Sequence, residues 1–208
     1  MLLLGLTGDI ACGKSAVAGV LHVLGAAVID ADLLVRELYA DQEFARRVAA
    51  LFEAPVLAPD GGVDRAALRG VVSTDAAALQ RLEALVHPAV AALRDSRLQA
   101  LQEQPQAPRV VVVEAVKLIE SDQAASCDVV WCVRCAPEIQ LRRLMEKRGL
   151  DESTARNMLA RQPPFDAKIV HLKKHKGRVI PFVVIENNGS LQELEQNVRQ
   201  LWDQLATS

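Results

Sequence analysis

The sequence predicts an α/β fold: a mostly parallel sheet between two layers of helices. Short apolar runs alternate with stretches of helical periodicity along most of the chain, the pattern of repeated strand and helix units. Two of these runs, "RVVVVEAVKLIE" (109–120) and "CDVVWCV" (127–133), are apolar without alternation, as in strands covered on both faces. A glycine-rich loop, "GLTGDIACGKS" (5–15), stands between the first apolar run and the first helical one.

Taken in order, "LLLGL" (2–6) predicts a strand, and "KSAVAGVLHVLG" (14–25) a helix that Gly25 stops. "AAVID" (26–30) is a second short strand, and residues 31–52 are helical by their apolar spacing. Pro55, Pro59 and Asp60-Gly61-Gly62 mark 53–64 as a connector. A long helical region, 65–104, follows, interrupted at Pro88 and ended near Pro105 and Pro108. The third and fourth strands lie at 109–120 and 127–133, and "PEIQLRRLMEKRG" (137–149) starts a helix with proline in its first turn. "FVVIEN" (182–187) is the last strand. The amphipathic helix at 190–206 closes the chain, with Ser190 and Glu193 as a capping box. The helical insertion at 60–105 falls outside the alternation and reads as a subdomain between core segments 1–59 and 106–208.

The chain has 208 residues, enough for one well-buried domain with a smaller lobe. A net charge of −2 supplies no general attraction to nucleic acid or membranes, so an anion site must be local. Aromatic residues are only 3% of the chain, which leaves few platforms for stacking bases. No apolar run has the length of a membrane-spanning helix. We therefore expect no nucleic-acid partner and no membrane partner. With no export signal, the four cysteines point to reduced thiols in the cytoplasm.

The chemistry starts at Gly8, Gly13, Lys14 and Ser15, a Gly-x-x-x-x-Gly-Lys-Ser motif after a strand and at the start of a helix. Its backbone N–H groups can turn toward phosphate oxygens, Lys14 reaches the terminal phosphates, and Ser15 is placed to ligate magnesium. This makes the fold a P-loop NTPase type of three-layer αβα sandwich that binds a nucleoside triphosphate, with Ser15 available to Mg2+. No Asn/Thr-Lys-x-Asp segment, which would read guanine, precedes the last strand. A small-molecule kinase needs instead an acid at a strand end and arginines that close over the transferring group. Asp30 and Asp32 stand at the carboxyl end of the second strand, where one could accept a hydroxyl proton and either could cap the next helix. Glu114 ends the third strand at the position of a carboxylate behind magnesium. Arginines cluster in "QLRRLMEKR" (140–148) and continue to Arg156 and Arg161; Arg142 and Arg156 read as a solvated face.

With these motifs placed, the sequence resembles the dephospho-coenzyme A kinase family nearly from end to end. The resemblance rests on "GLTGDIACGKS", "VIDAD" (28–32), "VDRAAL" (63–68), "LEALVHP" (82–88), "QLRRL" (140–144), "RQPP" (161–164) and "IENNGS" (185–190). It implies an ATP- and magnesium-dependent kinase for the ribose 3′-hydroxyl of dephospho-coenzyme A, with the 60–105 insertion accepting substrate and a helical lid at about 138–180. Carried over by position, it implies that Thr7, Gly8, Ala11, Cys12, Gly13, Lys14, Ser15, Ala16 and Asn187 hold ATP and that Ser15 holds the metal. Asp32 becomes the catalytic base, with Lys14 and Arg143 at the transferring phosphate. Asp32, Arg65 and His87 fall on the substrate side, where His87 either bonds substrate or pins a turn before Pro88.

The chain departs from the family in places. Most relatives have glycine at Asp9 and glycine-serine at Ala11-Cys12, and Asp9 puts a negative charge beside the phosphate cradle unless its side chain is turned away. The basic segment "HLKKHKGRVIPF" (171–182) is longer than the usual link; it either closes over phosphates or adenine or forms an exposed turn. Cys132 and Cys135 form an isolated C-x-x-C that does not predict zinc. Cys12, at a helix N-terminus, is expected to have a depressed pKa, so that its alkylation blocks ATP binding. A kinase for another hydroxyl or a nucleoside monophosphate, and a nucleotide-binding regulator without catalysis, remain alternatives.

Overall fold

A computed structural model describes residues 1–121, 123–173 and 179–206. Strand β1 (Leu2–Gly8) is buried from Leu4 onward. It leads through the glycine loop into α1 (Lys14–Val23), and Gly25 just beyond takes φ 99°, the left-handed value that ends a helix. Strand β2 (Ala27–Asp30) follows, then α2 (Ala31–Ala40) and α3 (Gln42–Ala49). The single helix expected at 31–52 is broken at Asp41, whose carboxylate accepts the Phe44 N–H at 2.7 Å and restarts the helix as its cap.

The next helical region splits in the same way. Helix α4 (Arg65–Val72) ends before Ser73, and α5 (Ala76–Gln102) restarts where Asp75 accepts the N–H groups of Ala77 and Ala78 at 2.8 and 3.0 Å. The interruption expected at Pro88 does not occur, because α5 runs through it. Leu82, Val86 and Val90 lie on the buried stripe of that helix, while Pro88 is on its exposed side, where the freed carbonyl can bond water.

Strand β3 (Val110–Glu114) is shorter than the apolar run suggested; the chain then turns and buries Leu118 and Ile119. It continues through β4 (Val129–Arg134), α6 (Pro137–Arg148), α7 (Glu152–Ala160), α8 (Phe165–Lys173), β5 (Phe182–Glu186) and α9 (Leu191–Ala206). Ser190 and Glu193 form the expected capping box, with the Ser190 N–H donating to Glu193 at 2.7 Å and the Glu193 N–H to Ser190 Oγ at 3.2 Å. Of the basic stretch 171–182, residues 174–178 lie outside the described residues.

The five strands form one parallel sheet in the order β2-β3-β1-β4-β5. Leu4 pairs with Val112, Leu6 with Trp131 and Val133 with Ile185. One face carries Leu4, Leu6, Val112, Trp131 and Val133 against Val17 and Leu21 of α1 and Leu194 and Val198 of α9. On the other, a Cβ at Gly5 would stand 2.7 Å from Leu118 and 2.9 Å from the Cys127 sulfur, so that face is covered too. Burial of both faces is why the strands read as continuous apolar runs. Parallel strands bring the loops after β1, β3, β4 and β5 to one edge, where ligands bind in such sheets.

Residues Met1–Ile29 and Gln102–Ser208 form one compact unit, and Asp30–Leu101 form a second that starts earlier than the insertion read from residue 60. Within the second, the Val63 N–H donates to the Tyr39 carbonyl at 2.8 Å, and Leu57 bridges Val63. No helix among the described residues is long and apolar enough to cross a membrane.

Pro88 costs α5 a backbone hydrogen bond without a core contact in return. Pro88→Ala is expected to stabilise the fold by about 1–3 kcal/mol, read as a raised Tm in a thermal melt; an unchanged or lowered Tm would show that the proline supports the helix.

Candidate active site

The loop joining β1 to α1 owes its shape to two left-handed residues, Ala11 at φ 59° and Gly13 at φ 95°. Ala11 is the lone non-glycine with positive φ among the described residues. Gly13 caps α1 without any side-chain hydrogen bond, and the first turn of α1 has no acidic residue. The N–H groups of Ala16 and Val17 return to the Gly13 carbonyl at 3.0 and 3.2 Å. Those of Ala11, Gly13, Lys14 and Ser15 find no acceptor among the described residues, leaving open donors at a helix N-terminus. Both glycines are sterically required: a Cβ at Gly8 would lie 2.5 Å from the Val133 carbonyl oxygen, and one at Gly13 would collide with the Asn187 amide.

The carbonyl side of the loop is held from behind. Asn187 Nδ2 donates to the Cys12 carbonyl at 2.7 Å, and Gln140 Nε2 to that of Ile10 at 3.0 Å. Gln162 accepts the Ile10 N–H at 2.8 Å. Arg143 donates to the carbonyls of Ala11 and Cys12 at 3.4 Å each, and to Asn187 at 3.2 and 3.3 Å. These bonds occupy the loop's carbonyls and leave its remaining amides for an anion. Gln140 and Gln162 sit in the motifs "QLRR" and "RQPP", but nothing in their residue type marked them as loop supports.

At the open side, Lys14 forms a direct ion pair with Glu114 Oε1, the two side chains being 11% and 7% exposed. Ser15 Oγ stands 3.4 Å from the same oxygen. Glu114 thus draws together the ammonium and the hydroxyl that the motif predicted. The donor set fits Mg2+, a hard cation that takes oxygen ligands, retains water and is bound through one or two protein oxygens together with nucleotide phosphates. Ser15 would be the direct ligand and Glu114 the carboxylate behind it.

Asp9 is paired. Its carboxylate accepts from Lys168 Nζ of α8 at 2.7 Å, and Lys168 also meets Glu120 at 3.2 Å. No sequence signal singled out this lysine, which is one of two on a short helix.

Asp30 caps α2, accepting the N–H groups of Asp32 and Leu33 at 2.8 and 3.3 Å. The capping role therefore goes to Asp30, and the Asp32 carboxylate is exposed in the first turn of α2. Arg65 is exposed at the start of α4; burial raises the pKa of Tyr39, and the charge of Arg65 opposes that rise. His87 is exposed on the unbroken α5, so there is no turn before Pro88 for it to pin. Arg142 is exposed, and Arg156 pairs with Glu152 at 2.6 Å one helical turn away, a solvated face in both cases.

Two loop residues make contacts within the protein, and one expectation, the lowered pKa of Cys12, is corrected. Thr7 is buried within β1 and its hydroxyl donates to the Val116 carbonyl at 3.2 Å. The Ala16 N–H is used inside the helix. Cys12 is 1% exposed, with its sulfur 3.6 Å from that of Cys135 and 3.3 Å from Gln140 Nε2. The hydrogen bond with Cys135 and burial push the Cys12 thiol up, not down. The helix N-terminus does not prevail, because its amides face the open side while the sulfur points into the core. Burial likewise raises Cys132 to about 12. In the folded protein Cys12 is expected to resist iodoacetamide at neutral pH and to react once the chain is unfolded; rapid native alkylation, mapped by mass spectrometry, would contradict this packing.

Comparison with known proteins supplies the lineage. The dephospho-CoA kinase family model matches residues 2–193. A dephospho-CoA kinase of Geobacter sulfurreducens is 41% identical over 203 residues, covering 97% of this chain and 98% of that one. One from Geobacter metallireducens is 42% identical over 203 residues, with 97% and 96% covered. The solved dephospho-CoA kinase of Campylobacter jejuni superposes with a TM-score of 0.69 at 22% identity, covering 99% of this chain and 97% of that one, which shows a shared fold. A phosphate loop completed by a strand-end carboxylate thus sits in a chain that belongs, over nearly its whole length, to the dephospho-CoA kinase family.

Proposed function

We propose that this protein transfers the γ-phosphoryl group of MgATP to the ribose 3′-hydroxyl of dephospho-coenzyme A, giving coenzyme A and ADP, in the cytoplasm. One observation carries the reading: Lys14 and Ser15 converge on Glu114 beside the open amides of Ala11, Gly13, Lys14 and Ser15. That combination suits a triphosphate, and membership of the family supplies the acceptor.

In this reading the amides hold the β- and γ-phosphate oxygens, and Lys14 exchanges part of its interaction with Glu114 for the phosphates. Bound Mg2+ would neutralise charge on the phosphates. Ser15 would hold it through its hydroxyl oxygen, with Glu114 as the carboxylate behind. Asp32, released from capping by Asp30, accepts the proton of the 3′-hydroxyl as the new O–P bond forms and the bond to the β-phosphate oxygen breaks. Arg143 and Asn187 keep the loop in shape, and the role at the transferred phosphoryl group is assigned to Arg143 from the family resemblance. Arg65 and His87, both exposed, are assigned to the acceptor. Pairing of Asp9 with Lys168 offsets the negative charge that Asp9 brings beside the cradle.

Purified protein incubated with MgATP and a panel of hydroxyl acceptors should release ADP with dephospho-coenzyme A, and EDTA should abolish that release. Turnover with another acceptor only, or none at all, refutes the assignment. Asp32→Asn should lower kcat by roughly a hundredfold or more while the Kd for ATP changes little. Turnover that survives this change would remove Asp32 as the base.

A further inference from the structure

Asp9 is an acidic residue inside a loop that the proposed function reads as an anion site. Ile10 fixes its direction: the Ile10 N–H is accepted by Gln162 and its carbonyl is bonded by Gln140. The carboxylate so directed meets Lys168, whose Nζ lies 2.7 Å from Asp9 and 3.2 Å from Glu120. The Lys168 side chain is 6% exposed and that of Asp9 15%, whereas Glu120 at 31% shares its charge with solvent. Burial works against the ammonium, but the hydrogen bond and charge of Asp9, with Glu120 behind them, hold the Lys168 pKa above its usual value.

We propose that Lys168 is a positioning residue for nucleotide binding: held by α8, it neutralises Asp9 and so allows the phosphate loop of this chain to accept a triphosphate despite its acidic residue. This rests on reading the loop as the ATP phosphate site. Lys168 acts through Asp9 and leaves the open amides to the phosphates. Charges this close are separated by much less than the ~8 Å screening length of physiological salt, so an unpaired Asp9 would repel an incoming triphosphate.

The test is a cycle of variants read by calorimetric MgATP affinity at low and physiological ionic strength. Lys168→Met should weaken binding about tenfold or more, with a larger loss at low salt. Asp9→Asn, which keeps the shape but removes the charge while Lys168 stays, should tighten it about threefold or more. The double variant should return to within about threefold of the unaltered chain, because removing both charges cancels the effect. A simple packing role for Lys168 would leave the double variant as weak as the single. The inference is overturned if Lys168→Met binds normally, if Asp9→Asn binds no more tightly, or if the double variant stays as weak as Lys168→Met. Should Lys168→Met fail to fold, Asp9→Asn and the double variant decide by the same criteria. An unaltered chain that binds no MgATP would take down the site reading itself, whereas normal binding without this charge response takes down only the role of Lys168.

Discussion

The site depends on backbone N–H groups of one loop, at the end of a buried strand, that find no acceptor among the described residues. Unpaired amides are costly wherever water cannot reach them, so such a loop persists only if its carbonyls are satisfied and its shape is over-determined. Here Ala11 and Gly13 take left-handed backbone angles, and Asn187, Arg143, Gln140 and Gln162 reach in from later parts of the chain to bond the carbonyls or the spare N–H of Ile10. The phosphate cradle is therefore assembled by residues far apart in sequence, on the carboxyl edge of a sheet whose parallel strands bring them together.

Charge in this unit is arranged in compensated groups. Lys14 is paired with Glu114, and Asp9 with Lys168. Breaking a buried pair by deleting one partner is far costlier than the pair is worth as a whole, so each group constrains its neighbours. The pair with Glu114 also holds the Lys14 ammonium at the carboxyl end of β3. An acid in an anion site thus becomes tolerable once a cation from another helix is committed to it. The cysteines follow the same logic of burial: Cys12 lies at a helix N-terminus, yet its sulfur faces Cys135 and the core, and the environment of the sulfur sets its chemistry.

Local physics was legible in the chain. Doubly covered strands announced themselves as unbroken apolar runs, the Ser190–Glu193 capping box formed as read, and Gly8, Gly13, Lys14 and Ser15 occupy the turn that their spacing demands. Helix breaks were less legible, because an aspartate that caps a new helix and one that rides on an old helix have the same composition. Asp41 and Asp75 break their helices, whereas Pro88 does not, since its ring lies on an exposed side and the buried stripe of α5 holds the helix together.

By itself, the sequence determined the strand and helix alternation, the phosphate loop, the strand-end carboxylate Glu114 and the family to which the chain belongs. These follow from periodicity and from short motifs whose geometry is set within a few residues. The tertiary structure alone decided that Asp30 takes the cap and leaves Asp32 exposed, that the Cys12 sulfur is buried against Cys135, that the Thr7 hydroxyl bonds Val116, and that Lys168 pairs with Asp9. Each of those outcomes turns on which way a side chain points and what a distant segment places against it, and no local pattern in the chain encodes such a pairing.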